Sequence, residues 1–129
     1  MACPYFDPGE RRPGLNGSLG DVYAGLCRRS GSQPDDQTLH DRCNLGYARG
    51  SCSHFPEAGG PDSVRFCVST HHGAGIRILY SIECDHRPLS HGALEYSTQA
   101  GAFVGPPPDG PVERLATAFV RSYLRRITR

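Results

Sequence analysis

"SVRFCVSTHHGAGIRILYSIEC", residues 63–84, holds two alternating apolar runs on either side of a glycine-containing turn. In the first run Val64, Phe66 and Val68 alternate with Arg65, Cys67 and Ser69, and in the second Ile76, Ile78, Tyr80 and Ile82 repeat the period of two. That period sends successive side chains to opposite faces, so each run predicts a strand with one apolar face, joined through "HHGAG". Outward from this pair, a third strand carries Leu94 and Tyr96 after the "DHRPLS" connection, and a short fourth carries Val104 after "QAG". Residues 63–105 therefore predict a small antiparallel β-meander of three or four strands, apolar on one side.

The cover for that side follows in sequence. In residues 109–128, Val112, Leu115, Ala116, Phe119, Tyr123 and Ile127 recur at helical spacing and make one apolar stripe. Asp109 is placed to cap this C-terminal helix and Pro111 suits its first turn, while Arg121, Arg125 and Arg126 gather at the end that favours cations, as a solvated terminus. Sheet followed by helix gives an α+β fold class, with the 129 residues forming a single domain. Within the meander Cys67 has the parity opposite to Val64, Phe66 and Val68, whereas Cys84 continues that of Ile76 to Ile82. The two are expected on opposite faces and not as a disulfide, with Cys84 a small buried filler and Cys67 a half-exposed thiol.

Residues 1–62 follow a different logic. The 16 glycines and 11 prolines of the chain interrupt regular elements, and in this segment Leu15, Leu19, Val22, Leu26, Leu39 and Leu45 are the only branched aliphatics. Only "DQTLHDRCNLGYA" has helical character, with Asp36 as its expected cap, so an irregular lobe rich in Cys, Gly and Pro is predicted. Burial alone would struggle to offset the entropy of ordering it, and the lobe holds Cys3, Cys27, Cys43 and Cys52.

No apolar run follows a basic start in residues 1–20, so no secretory signal peptide is expected. Six cysteines in an unexported, cytoplasmic chain point to thiols or metal ligands more than to a disulfide framework. The settings of the four echo one another: "CPYFDP" and "CSHFPE" both place Phe three positions after Cys, and "VYAGLC" and "CNLGYA" bring Gly and Tyr near sulfur. Glycine permits close backbone approach, and amide N–H groups can then donate to cluster sulfurs. Four thiolates are the usual complement of an iron–sulfur cluster, and Cys3-Pro4 resembles the Cys-Pro of ferredoxins, although the C-x2-C-x2-C run is absent. Arg28, Arg29, Arg42 and Arg49 lie beside three of the cysteines and would offset the negative charge of a [4Fe-4S] cluster.

The expected function is electron transfer or redox sensing, with a redox protein or further copies of the chain as partner. The alternative is a zinc ion on the same four cysteines, His40 or His54 substituting, in a structural interaction module. No two of the cysteines have the two-to-four-residue spacing of a zinc knuckle. The third account is unligated buried thiols in an ordinary domain.

Other chemistry finds less support. A net charge of +1 gives no electrostatic case for nucleic acid, and no apolar run reaches the roughly 18 residues of a membrane span. All 14 basic residues are Arg, which excludes a lysine nucleophile or Schiff base. His71 and His72 are expected in a solvated turn, and Glu83 is expected across from His91 as a polar pair. No Walker-type or dinucleotide-binding loop and no complete nucleophile, base and oxyanion-hole set appears, so no enzyme signature is present.

Overall fold

The computed structural model describes residues 2–15, 21–44, 52–53, 55, 60–106 and 112–128. The fold is α+β. A two-stranded antiparallel sheet, β1 (Phe6–Arg11) with β2 (Tyr23–Cys27), lies in the N-terminal lobe, and a four-stranded meander follows. The meander runs β3 (Ser63–His72), β4 (Gly75–Cys84), β5 (Arg87–Ser97) and β6 (Ala102–Val104), in sheet order β3-β4-β5-β6. Between the sheets a helical turn α1 (Asp36–Thr38) continues as a π-helical turn over Leu39–Asn44, and the C-terminal helix α2 is Val112–Ile127.

Alternation sets the meander's register. Val64, Phe66 and Val68 sit opposite Ile82, Tyr80 and Ile78, and Ile78 and Ile76 sit opposite Leu94 and Tyr96 of β5. Ile76 and Ile78 are fully buried against Val120 of α2; each such side chain contributes roughly 1.5–3 kcal/mol. Phe66 and Phe119 stack at 5.4 Å between ring centroids. On the other face Cys67 is exposed opposite Leu79, while Cys84 is half-buried rather than buried, and all six cysteines are free thiols.

Several local expectations are corrected. The turn of the first hairpin is only Gly73-Ala74, and His71 and His72 belong to β3. A register shift between Val68 and Thr70 inserts one residue, which moves odd-numbered His71 opposite buried Ile76. Its Nδ1 lies 2.8 Å from the Tyr123 hydroxyl, so it is part of the sheet–helix contact and not a solvated turn. "DHRPLS" is no open connection either. Asp85 and His86, both at positive φ, close a two-residue turn from Cys84 to Arg87, and β5 starts at once. This tight turn places Pro88 opposite Glu83 and Ser81 opposite His91, so the expected Glu83–His91 pair does not form. Glu83 instead accepts from Arg65 at 2.7 Å and from Ser63 at 3.1 Å.

In α2 the stripe is buried through Val112, Leu115 and Ala116, then shifts to Val120, leaving Ile127 50% exposed. Asp109 and Pro111, expected as cap and first turn, lie outside the described residues. The helix links the two halves of the molecule: Leu115 packs with Phe6, Val22, Tyr23 and Leu39 of the lobe, and Val120 with the sheet. Arg125 is not simply solvated, because its Nε donates to Asp21 at 2.9 Å, and the Asp21 side chain is only 5% exposed. Among the described residues no helix is long and apolar enough to cross a membrane.

The Arg125 hydrogen bond holds the Asp21 carboxyl below its ordinary range, with Ser122 adding to it against the cost of burial. A depressed carboxylate contributes stability above its unfolded pKa and loses it as pH falls through the folded value. The melting temperature of the wild-type chain should therefore exceed that of Asp21→Asn at about pH 6, and the gap should close as pH drops from about 4 toward 2. A gap independent of pH would assign the effect to packing.

Candidate metal centre

The lobe is less irregular than its composition suggests. β1 and β2 pair with Phe6 opposite Cys27 and Asp7 opposite Leu26, although "FDPGER" and "YAGLC" show no apolar alternation. What permits the pairing is Gly25, where a Cβ would stand 2.1 Å from the Asp7 carbonyl oxygen. Only a residue without one allows the strands to approach this closely. The register sets Cys27 beside the Cys3–Phe6 turn, whose Phe6 N–H donates to the Cys3 carbonyl at 3.2 Å.

Cys43 arrives from the other side. Asp35, one residue ahead of the expected Asp36, caps α1 by accepting from the Thr38 N–H at 2.8 Å. Leu39 is buried beyond the cap, and the π-helical turn that follows ends on Cys43 and Asn44. The Asn44 side chain locks the turn onto β2: Oδ1 accepts from Tyr23 N–H, and Nδ2 donates to the carbonyls of Tyr23 and Leu39. The Cys3 N–H then donates to the Cys43 carbonyl at 3.1 Å.

Cys52 repeats the motif of Cys3. The Phe55 N–H donates to the Cys52 carbonyl at 3.2 Å, so the two Cys-x-x-Phe echoes close as turns of the same form. Tyr5 and Phe55, one from each turn, meet edge to face at 5.4 Å. Cys3 and Cys43 are 9% and 7% exposed and share one apolar cluster with Phe6, Leu39 and Cys52, while Cys27 and Cys52 are half-buried.

The four thiols lie close enough to act on one another's charge. Burial pushes the Cys3 thiol up to about 11, with Cys27 and Cys52 adding to it and the Tyr5 and Phe6 N–H groups opposing. Burial pushes Cys43 up to about 12, and Cys3, Cys27 and Cys52 all add to it against Arg42. Burial also acts to raise Cys27, but the Ser30 hydroxyl, the N–H groups of Ser30 and Arg29 and the Arg28 charge outweigh it and lower this thiol. Two buried thiols facing two others resist joint ionisation unless a cation enters.

Around them Arg28 donates to the Pro4 carbonyl, and the Arg29 guanidinium lies 5.9 Å above the Tyr5 ring. Of the arginines expected beside the thiols, Arg49 lies outside the described residues. So does His54, one of the two histidines weighed as zinc ligands. The other, His40, is turned to Asp41 at 2.8 Å. Among the described residues, no three His, Cys, Asp or Glu side chains form a ready-made set for a metal ion. A single tetrahedral zinc would draw its sulfurs to about 3.8 Å from one another, whereas a polynuclear cluster spreads them over several metal atoms. Cys3, Cys27, Cys43 and Cys52 offer thiol donors, with N–H groups on the sulfurs of Cys3 and Cys27. No family model, curated protein or solved structure matches this chain.

Proposed function

We propose that the chain carries one iron–sulfur cluster, of the [4Fe-4S] kind, on Cys3, Cys27, Cys43 and Cys52, and serves in one-electron transfer or redox sensing. The observation behind this reading is that four free thiols come from four separate segments, two of them buried, with the charges of the others acting on Cys3 and Cys43. When bound, such a cluster takes up and returns one electron, and four protein thiolates leave no iron position open to substrate. The chain's own residues supply the rest. The N–H groups of Tyr5, Phe6, Arg29 and Ser30 donate to Cys3 and Cys27, which favours sulfur in its charged form. Arg28 and Arg42 offset negative charge, and Tyr5 and Phe55 exclude water. Free thiols suit a reducing compartment such as the cytoplasm.

Metal analysis of anaerobically purified protein tests the reading. About four irons and four acid-labile sulfides per chain are expected, with broad absorption near roughly 400 nm. One zinc without sulfide replaces the cluster by a structural zinc site, and no metal at all overturns both.

A further inference from the structure

We propose that the cavity between β2, β3 and α2 is a binding site for a small neutral phenol, whose ring rests on the apolar wall and whose hydroxyl donates to Asp21. The inference goes beyond the proposed cluster and does not depend on it. Cys43 alone is common to both, because it forms part of the cavity wall.

The cavity measures about 280 Å³ and lies where α2 bridges the lobe and the meander. Protein interiors pack with few voids larger than a water molecule, and a single helix laid across two separate sheets leaves a wedge that its side chains do not fill. A dry apolar cavity of about 150 Å³ takes up benzene, so this one has room for a ring with substituents. Val64 and Phe66 of β3 and Leu115 and Phe119 of α2 supply the apolar wall. The stacked rings of Phe66 and Phe119 offer edges and faces to a third ring.

The polar end is rich in acceptors. Asp21, its side chain 5% exposed, accepts from Nε and Nη2 of Arg125 and from the Ser122 hydroxyl. A carboxylate has about four acceptor positions, so one remains. Tyr23 spends its proton on the Ala118 carbonyl at 3.2 Å, which leaves its oxygen to accept. Both amide donors of Asn44 are committed to the carbonyls of Tyr23 and Leu39. A ligand that brings its own O–H completes this set. Charge selects against ions. Arg125 pairs with Asp21 and Arg11 adds its charge, so an ammonium ion finds no net negative charge there. A carboxylate would face these acceptors without a proton to donate. Arg126, the other charged side chain in the described wall, is exposed and stays hydrated.

Saturation-transfer NMR and calorimetry on the purified full chain test the site. The probe is p-cresol, and toluene, benzoate and benzylammonium are comparators with the same single ring, all at about pH 7, where p-cresol is neutral. p-Cresol should bind about tenfold more tightly than toluene, the worth of one hydrogen bond to a charged acceptor, and more tightly than either ion. Asp21→Asn removes the charged acceptor and should bring p-cresol close to toluene, while toluene keeps its affinity. Ala118→Leu extends a side chain into the cavity from a helical position that suits leucine, so it should fold and lose both ligands. Absence of p-cresol binding to the wild-type chain overturns the inference, and so does undiminished binding to Ala118→Leu. Benzoate or benzylammonium binding more tightly than p-cresol overturns the choice of a neutral donor.

Discussion

Cys43→Ser is expected to purify without iron and to lose the cooperative thermal transition of the wild-type chain. Serine is close in size to cysteine, and a lone buried substitution of this kind costs only a few kcal/mol where packing alone holds the site. Metal binding that exists only in the folded state adds its binding free energy to folding, about 10 kcal/mol or more for structural thiolate sites. Cys43 joins the two ends of the lobe, because its carbonyl accepts from the Cys3 N–H and its side chain packs with Phe6 and Leu39. The substitution keeps that backbone bond and removes the thiol alone, so a lost transition would report the missing ligand. Cys67→Ser, on the exposed outer face of the meander, is the control and should change stability by less than about 0.5 kcal/mol with full iron content. Calorimetry and iron analysis on the two variants separate a stapled lobe from a packed one: a Cys43→Ser protein that retains iron removes Cys43 from the ligand set.

Gly25→Ala should be nearly as severe by a different route. Its Cβ would lie 2.1 Å from the Asp7 carbonyl oxygen and 3.0 Å from the Asp7 carbonyl carbon and Pro8 Cα, all backbone atoms that no rotamer change can clear. β1 and β2 would have to separate, at a cost of about 3 kcal/mol, well above the fraction of a kcal/mol that Ala gains in the unfolded chain. The separation displaces Cys27 from the Cys3 turn, because Phe6 opposite Cys27 is the next pair but one along the ladder. Iron content should fall together with the urea midpoint. A stable Gly25→Ala protein with normal iron would show that the lobe is held elsewhere than at this pair of strands.

The meander and the C-terminal helix were legible because a single physical rule, apolar periodicity, produced each of them. The departures occurred where one residue broke the period. The extra residue between Val68 and Thr70 reversed the facing of His71, and the Asp85-His86 turn reset β5 so that Glu83 met Pro88 and not His91. β1 and β2 carried no period at all, since their pairing depends on an absent Cβ at Gly25 rather than on buried side chains. The tandem acids of "PDDQT" put the helix cap within one residue but could not choose between Asp35 and Asp36. The local settings of the four cysteines suggest a grouping but hold no information on contacts between them. What brings them near one another, the Phe6–Cys27 register and the Cys3–Cys43 backbone bond, is long-range and left no mark in the sequence.

The joining of both halves by α2 has a consequence for synthesis. Tyr23 donates to the Ala118 carbonyl over 95 residues of sequence, and Arg125 reaches Asp21 over 104. Residues 2–44, with three of the four thiols, are therefore made long before the helix that closes over them, and their lobe cannot be finished during translation. Until residues 112–127 emerge, those thiols stand in an open chain, accessible to whatever delivers a metal and equally to oxidants and chaperones. On the proposed reading a metal would load in that interval, before α2 folds over the lobe.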